Sequence, residues 1–367
     1  MKVITTASLN SMSLPIELTR HTVPRRLPKG FRELYDEKYD FTTLFYHVFY
    51  DEARGTVRFF CPKLLNFEFF FADSLVQIDG QTVHFTIKRY ARYDVVECPV
   101  PHKPRGCSLR VGGFEPLVAD IGVKEVDLFA GSRALLTMSK DNRVPWIRDW
   151  VVHHVTSHGA DALLLIDNGS VSYTANELAS SLADIDGLNT LLVLEAPFTY
   201  GPNLKGSMRD GSLKWLQPRG SGRARFLKPA LMNLCKERYL SLAQGVLSVD
   251  VDELVYTSDG QSIFEKASNS WLQYVQFKGT WWDSTRTDDL VRHADHDVQR
   301  TDLRECPTKY CICPSGPLRN LSWAVHSLES PWRLPFVIIR SAFYFHFRRI
   351  TTNWKKGHRL ASRDSKN

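Results

Sequence analysis

From about residue 132 the chain alternates short apolar runs with longer stretches whose apolar positions recur every three or four residues. "RALLTMS" (133–139), "ALLLID" (162–167), "TLLVLEA" (190–196) and "GVLSV" (245–249) are too short for surface helices and read as buried strands. After the first, "PWIRDWVVHHVTSHG" sets Ile147, Trp150, Val151, His154 and Val155 at helical spacing, with Pro145 at the start and Gly159 at the end. Thr174-Ala-Asn-Glu177 is a capping box opening a helix with Leu178, Leu182 and Ile185 on one face. A further helix, with Leu231, Leu234 and Cys235 on one stripe, leads to "GVLSVDVDE". This β-α-β-α-β order, joined by right-handed crossovers, predicts an α/β domain over 131–360 with a mainly parallel sheet flanked by helices.

The first 130 residues read differently. "TLFYHVFY", "TVRFF", "FEFFFA" and "LVQIDGQTVHFTI" are aromatic or β-branched, and Asp79-Gly80 suits a tight hairpin, so 1–130 is read as a β-rich accessory region. Within it, residues 1–40 are mixed, basic and broken by prolines, which predicts a lead-in with little regular structure. Residues 361–367 form a basic tail.

Composition narrows the class. The 367 residues are 43% hydrophobic and 24% charged, which is globular usage, and the net charge of +7 favours anionic partners. The polar N-terminus lacks the apolar stretch of a signal peptide, and "LPFVIIRSAFYFHF" (334–347) is too short and too charged to span a bilayer. A cytoplasmic protein is expected, with peripheral contact at the inner membrane face through the basic C-terminal segment. The seven cysteines have no framework spacing, and Cys306, Cys311 and Cys313 lack the paired spacing of a zinc site.

Candidate chemistry concentrates at Asp250-Val-Asp252-Glu253. In extended chain, residues i and i+2 share a face with Cα atoms roughly 6–7 Å apart, so Asp250 and Asp252 are expected to point the same way. Two carboxylates at the carboxyl end of a parallel strand suit Mn²⁺ or Mg²⁺, which takes its remaining ligands from water and substrate phosphates. His326 and His346 are the candidates to complete that shell, while His154 and His158 read as structural and "HADHD" (293–297) as a solvated loop. Asp167 lies at another strand end. The glycine-rich loop 201–225 carries Lys205, Arg209, Lys214, Arg219, Arg223 and Arg225 without a Walker pattern and offers phosphate contacts, with Arg225 the chosen donor contact.

These residues resemble a family. "NRVPWIRDWVVHHVTSHGADALLLIDNGS" is similar to the opening signature of the family 92-like glycosyltransferases and their family 2 relatives, with Pro145-Trp146, Asp149-Trp150, His154, Gly159 and Asp167-Asn168-Gly-Ser170 in the matching roles. "LMNLCKERYLSLAQGVLSVDVDELVY" resembles that family's helix and acidic D-x-D-E strand, and "KYCICPSGPLRNLSWAVHS" and "FHFRRITTNWKK" resemble its closing elements. The resemblance covers roughly 132–356. It implies a GT-A fold, a nucleotide-sugar donor held by Asn142, Asp167, Asn168, Asp250 and Arg225, and a metal held by Asp250, Asp252 and His326 or His346. The family's N-E is Asn142-Arg143 here, so its early acid is missing.

The reading is a metal-dependent transfer of a sugar from a nucleotide diphosphate to a glycan or lipid-linked glycan hydroxyl, in surface polysaccharide or glycoconjugate synthesis. Asp283, in "GTWWDS", is the candidate base for the acceptor hydroxyl. A sugar-phosphate or nucleotidyl transferase shares the same requirements, and a non-catalytic basic module binding nucleic acid or membrane is the rival class. Nucleic acid is not expected as a partner, because Asp250 and Asp252 repel a polyanion in the absence of metal.

Overall fold

A computed structural model describes residues 2–23, 29–72, 75–202, 224–286, 288, 290–303, 305–330 and 337–352. The loop cations from Lys205 to Arg223, the C-terminal Trp354, Lys355, Lys356 and Arg359, and the tail 361–367 lie outside the described residues. The chain forms two compact units, one from Met1–Ser8, Glu125–Pro197 and Cys235–Trp354, the other chiefly from Leu9–Lys124 and Phe198–Leu234.

The first unit is an α/β unit built on a ten-stranded sheet. Its strands are β1 (Val3–Ser8), β2 (Arg133–Ser139), β3 (Ala162–Asp167), β4 (Thr190–Glu195), β5 (Gly245–Ser248), β6 (Glu253–Thr257), β7 (Tyr274–Asp283), β8 (Val298–Arg300), β9 (Lys309–Ile312) and β10 (Ile338–Phe347). They lie in the order β1-β4-β3-β2-β5-β9-β7-β10-β6, with β8 paired to β7.

The sheet is mixed rather than mainly parallel. Five pairings are parallel and four antiparallel, and all but one of the parallel pairings fall in the run from β1 to β5. Parallel neighbours need a long crossover, usually a helix, and the chain supplies these only up to β5. Beyond it the α-helix among the described residues is Ile263–Asn269.

Two helices were marked by their ends. α1 (Val144–His158) has Pro145 in its first turn and stops at Gly159, whose φ of 64° lets its N–H reach the His154 and Val155 carbonyls. α2 (Ala175–Leu182) opens with a complete capping box between Thr174 and Glu177. Trp150, Ile147, Leu178 and Leu182 are fully buried in one core with Leu163, Leu165, Leu191 and Val193.

The first residues depart from the expected irregular lead-in. Val3–Ser8 forms the edge strand β1, in parallel register with Thr190–Glu195. An edge strand stays partly exposed and so needs no long apolar run, which is why the pattern there is weak.

The second unit is β-rich around aromatic packing. Strands His47–Asp51, Thr56–Pro62, Tyr93–Pro99 and Thr86–Arg89 pair antiparallel, over a core including Phe45, Phe59, Phe71 and Phe85. Asp79 (φ 48°) and Gly80 (φ 75°) make the tight turn joining Val76–Ile78 to Gln81–Thr82. Among the described residues no helix is long and apolar enough to cross a membrane.

Candidate functional site

After β2 the chain steps outward through β3 and β4, then returns to the other flank of β2 as β5. The carboxyl ends of β2 and β5 therefore border the point where strand order reverses, where open α/β sheets leave a crevice for ligands. Beyond the end of β5 stand Asp250, Asp252 and Glu253.

Those acids sit on a tight turn, not in extended chain. The Glu253 N–H donates to the Asp250 carbonyl (3.0 Å), and the Asp250 N–H donates back to Glu253 Oε2 (2.8 Å). The expected shared face is lost, and each aspartate meets a different partner. Lys309, at the start of β9, places Nζ 2.7 Å from Asp250 Oδ2 and 2.7 Å from Glu253 Oε2. Burial disfavours the ammonium, but the two carboxylate charges outweigh it and raise its pKa. Burial also raises the pKa of Glu253, against the opposing charge of Lys309.

Asp252 turns the other way. Its Oδ2 is 3.1 Å from His346 Nε2, and its carbonyl accepts the Phe347 N–H at 2.8 Å. The Trp281 ring stacks on His346 with centroids 4.0 Å apart. Burial works against a proton on His346, yet the charge and hydrogen bond of Asp252, helped by Glu253, hold its pKa up at about 10. His346 Nδ1 is 3.5 Å from Glu253 Oε1, and the Cys306 thiol also meets the ring. Asp252, Glu253 and His346 thus offer two carboxylates and an imidazole whose ligand atoms lie within 4.8 Å of one another. Two carboxylates and an imidazole at this spacing could hold a divalent cation.

The turn is braced from behind by residues the sequence left unconnected. The buried His293 ring donates to the Val251 carbonyl (2.9 Å), so 293–297 is not simply a solvated loop. Arg292, beside it, forks onto Asp149 of α1, with Nε 2.6 Å from Oδ2. Burial opposes ionisation of Asp149, but the His293 ring 3.7 Å away and the hydrogen bonds and charge of Arg292 hold its carboxyl down at about 2.

The other candidate residues fall in three places. Asn142 is buried after β2 and donates to Ser139 Oγ (2.9 Å). Asn168 bridges strand ends, its N–H to the Ser139 carbonyl (2.8 Å) and its Nδ2 to the Ala196 carbonyl (2.7 Å). Asp167 accepts from the Ser170 N–H and hydroxyl, and burial raises its pKa. It lines a cavity of about 400 Å³ with Ser170, Tyr173, Glu177, Glu195 and Pro197. Asp141 was overlooked: at φ 52° its Oδ1 accepts from the Val171 and Ser172 N–H groups (2.7 and 2.9 Å) and orders that loop. An Asp-Asn pair just past a strand is a turn signal that could have marked it.

Asp283 and His326 stand apart from the acid and histidine group. Asp283 Oδ2 is shared by Arg300 (3.1 Å) and Arg348 (2.8 Å), and Oδ1 accepts the Ser284 N–H. A proton taken onto Oδ2 displaces a guanidinium, so this carboxylate fits an ion-pair anchor better than a general base. His326 is exposed in the hairpin joining Ser322–Trp323 to Leu328–Glu329, with its carbonyl accepting from Thr308 Oγ1 (2.8 Å). Arg225 belongs to the second unit. No protein-family model matches the chain, and no curated protein matches it.

Proposed function

We propose that the first unit is a metal-dependent glycosyltransferase of GT-A type, using a nucleotide-sugar donor. The observation that carries this reading is the grouping of Asp252, Glu253 and His346 beside the reversal in strand order. Asp252, Glu253 and His346 would hold Mn²⁺ or Mg²⁺, which supplies the Lewis-acid charge a departing diphosphate requires.

The remaining roles belong to the chain. Lys309 bridges Asp250 and Glu253, so the turn is held before any ligand arrives. Trp281 covers one face of His346 and limits water there. Among the described residues the cavity at Asp167 is lined by carboxylates and hydroxyls, a surface that accepts hydrogen bonds from ribose hydroxyls and base N–H groups. Only β2 separates β3 from β5, so the Asp167 end and the D-x-D-E turn follow strands about 10 Å apart. A nucleoside diphosphate can reach across that gap. The acceptor in this reading is a glycan or lipid-linked glycan, and the net charge of +7 suits work at an anionic inner membrane face in the cytoplasm.

Thermal unfolding with a panel of nucleotide sugars, with and without Mn²⁺, tests the reading on the wild type and on Asp252→Asn. A donor at about 100 times its Kd stabilises the fold by about 2.7 kcal/mol. The expected result is a Mn²⁺-dependent rise in Tm with one donor, lost in the variant. No rise with any donor sinks the reading, and release of pyrophosphate in turnover would move it to nucleotidyl transfer.

A further inference from the structure

The edge strand β6 carries Glu253 at its start, and its outer side is held in an unusual way. In the antiparallel pair with β10, Val255 stands opposite Tyr344. On the outer side α1 brings three histidines to the single residue Val255. His153 Nε2 and His158 Nε2 lie 2.7 and 2.9 Å from the Val255 carbonyl oxygen, which can only accept, so both rings carry their proton on Nε2. His154 does the reverse. Its Nδ1 donates to the Trp150 carbonyl (2.8 Å), leaving Nε2 to accept the Val255 N–H (3.3 Å). His158 Nδ1 in turn accepts the Ile263 N–H (3.3 Å).

Two of these bonds, those in which His154 Nε2 and His158 Nδ1 accept, require a neutral ring. A proton on His154 Nε2 sets N–H against N–H, and a proton on His158 Nδ1 does the same to Ile263. The three ring centroids lie 5.0 to 6.1 Å apart, so charges on them repel. The titratable groups facing them are one another, Tyr256 on β6, and His293, itself beside Asp149. No carboxylate forms an ion pair with any of the three among the described residues.

We infer that His153, His154 and His158 form a proton-sensitive clamp on the Val255 peptide, which fixes the outer edge of β6 and releases it in mild acid. The clamp controls the strand that leaves the D-x-D-E turn, so acid loosens the turn from behind. Burial supports this by depressing the pKa of all three rings. The inference stands apart from the transfer reading, because it concerns backbone order and needs no donor.

Hydrogen–deuterium exchange on the full chain, without metal or nucleotide, tests it through peptides covering residues 253–257 and 133–139. Rates are compared at about pH 7.5 and about pH 5 after correction for intrinsic exchange. The expected result is an opening of 253–257 that grows at least about tenfold in acid while β2 changes little. His154→Gln places an amide oxygen where Nε2 accepts and does not titrate, so its acid response should be clearly smaller. Equal opening of 253–257 at both pH values overturns the clamp, as does an equal loss in both strands or a full acid response in His154→Gln. Should that variant fail to fold, the wild-type comparison of the two strands decides alone.

Discussion

Two carboxylate clusters in the antiparallel half of the sheet use similar residues and behave differently. At the D-x-D-E turn, Asp250 and Glu253 share one lysine, and the side chains of Lys309 and Glu253 are each only 2% exposed. At the end of β7, Asp283 has two guanidinium partners, whose side chains are 31% and 36% exposed. The first cluster has one cation for two acids in a dry place, the second two cations for one acid in a wet one. Buried charge is costly to strip of its partner, whereas exposed pairs contribute little because water screens them. Two acidic motifs that look alike in sequence therefore differ in what their loss would do.

The sharpest way to break the comparison is Lys309→Met. It removes the cation that Asp250 and Glu253 share in a buried place, and the expected loss is about 3–5 kcal/mol, read from the urea midpoint. Adding Glu253→Gln to it should recover part of that loss, and strict additivity of the two changes would show that the pair is not coupled.

Next in size is a cluster that is buried and neutral. His153 has its pKa lowered to about 4, chiefly by burial. A depressed histidine leaves the unfolded chain holding more protons between about pH 6.5 and pH 4. Its contribution is therefore complete above about pH 6.5 and is lost as pH falls toward 4, amounting to about 3 kcal/mol. Urea unfolding across that window should show stability falling with acid, and a flat profile would contradict it.

At the exposed cluster, Asp283→Asn should cost less than about 1 kcal/mol. Under the transfer reading it also keeps most of its turnover, since Asp283 is an anchor; loss of turnover in a folded variant would restore it as the base. Asp252→Asn removes the partner that holds the proton on His346, so its expected signature is a fall in the metal-free Tm together with loss of the Mn²⁺-dependent rise.

The same contrast explains what could be read in advance. β2, β3, β4, α1 and α2 were legible because their signals are local: apolar runs, Pro145 and Gly159, the Thr174 box. The antiparallel half was not, because pairing such as Glu253 with His346 depends on contacts across nearly a hundred residues. The acids and His346 could be picked out by type, but Lys309 lies 59 positions from Asp250 and no short-range pattern joins them. Glu253 rather than Asp250 joins the metal-type group because a turn replaces the extended chain and leaves Glu253 Oε1 3.5 Å from His346 Nδ1.

The edge strand β1 has a consequence for biosynthesis. Ser8 Oγ bonds Glu195 Oε2 at 2.7 Å across 187 positions of sequence. On the ribosome, residues 3–8 are made long before the strand that receives them. This segment must wait unpaired while β2, β3 and β4 are translated, and it joins the sheet only after them. The earliest of these strands to be synthesised thus cannot pair until Thr190–Glu195 has been made.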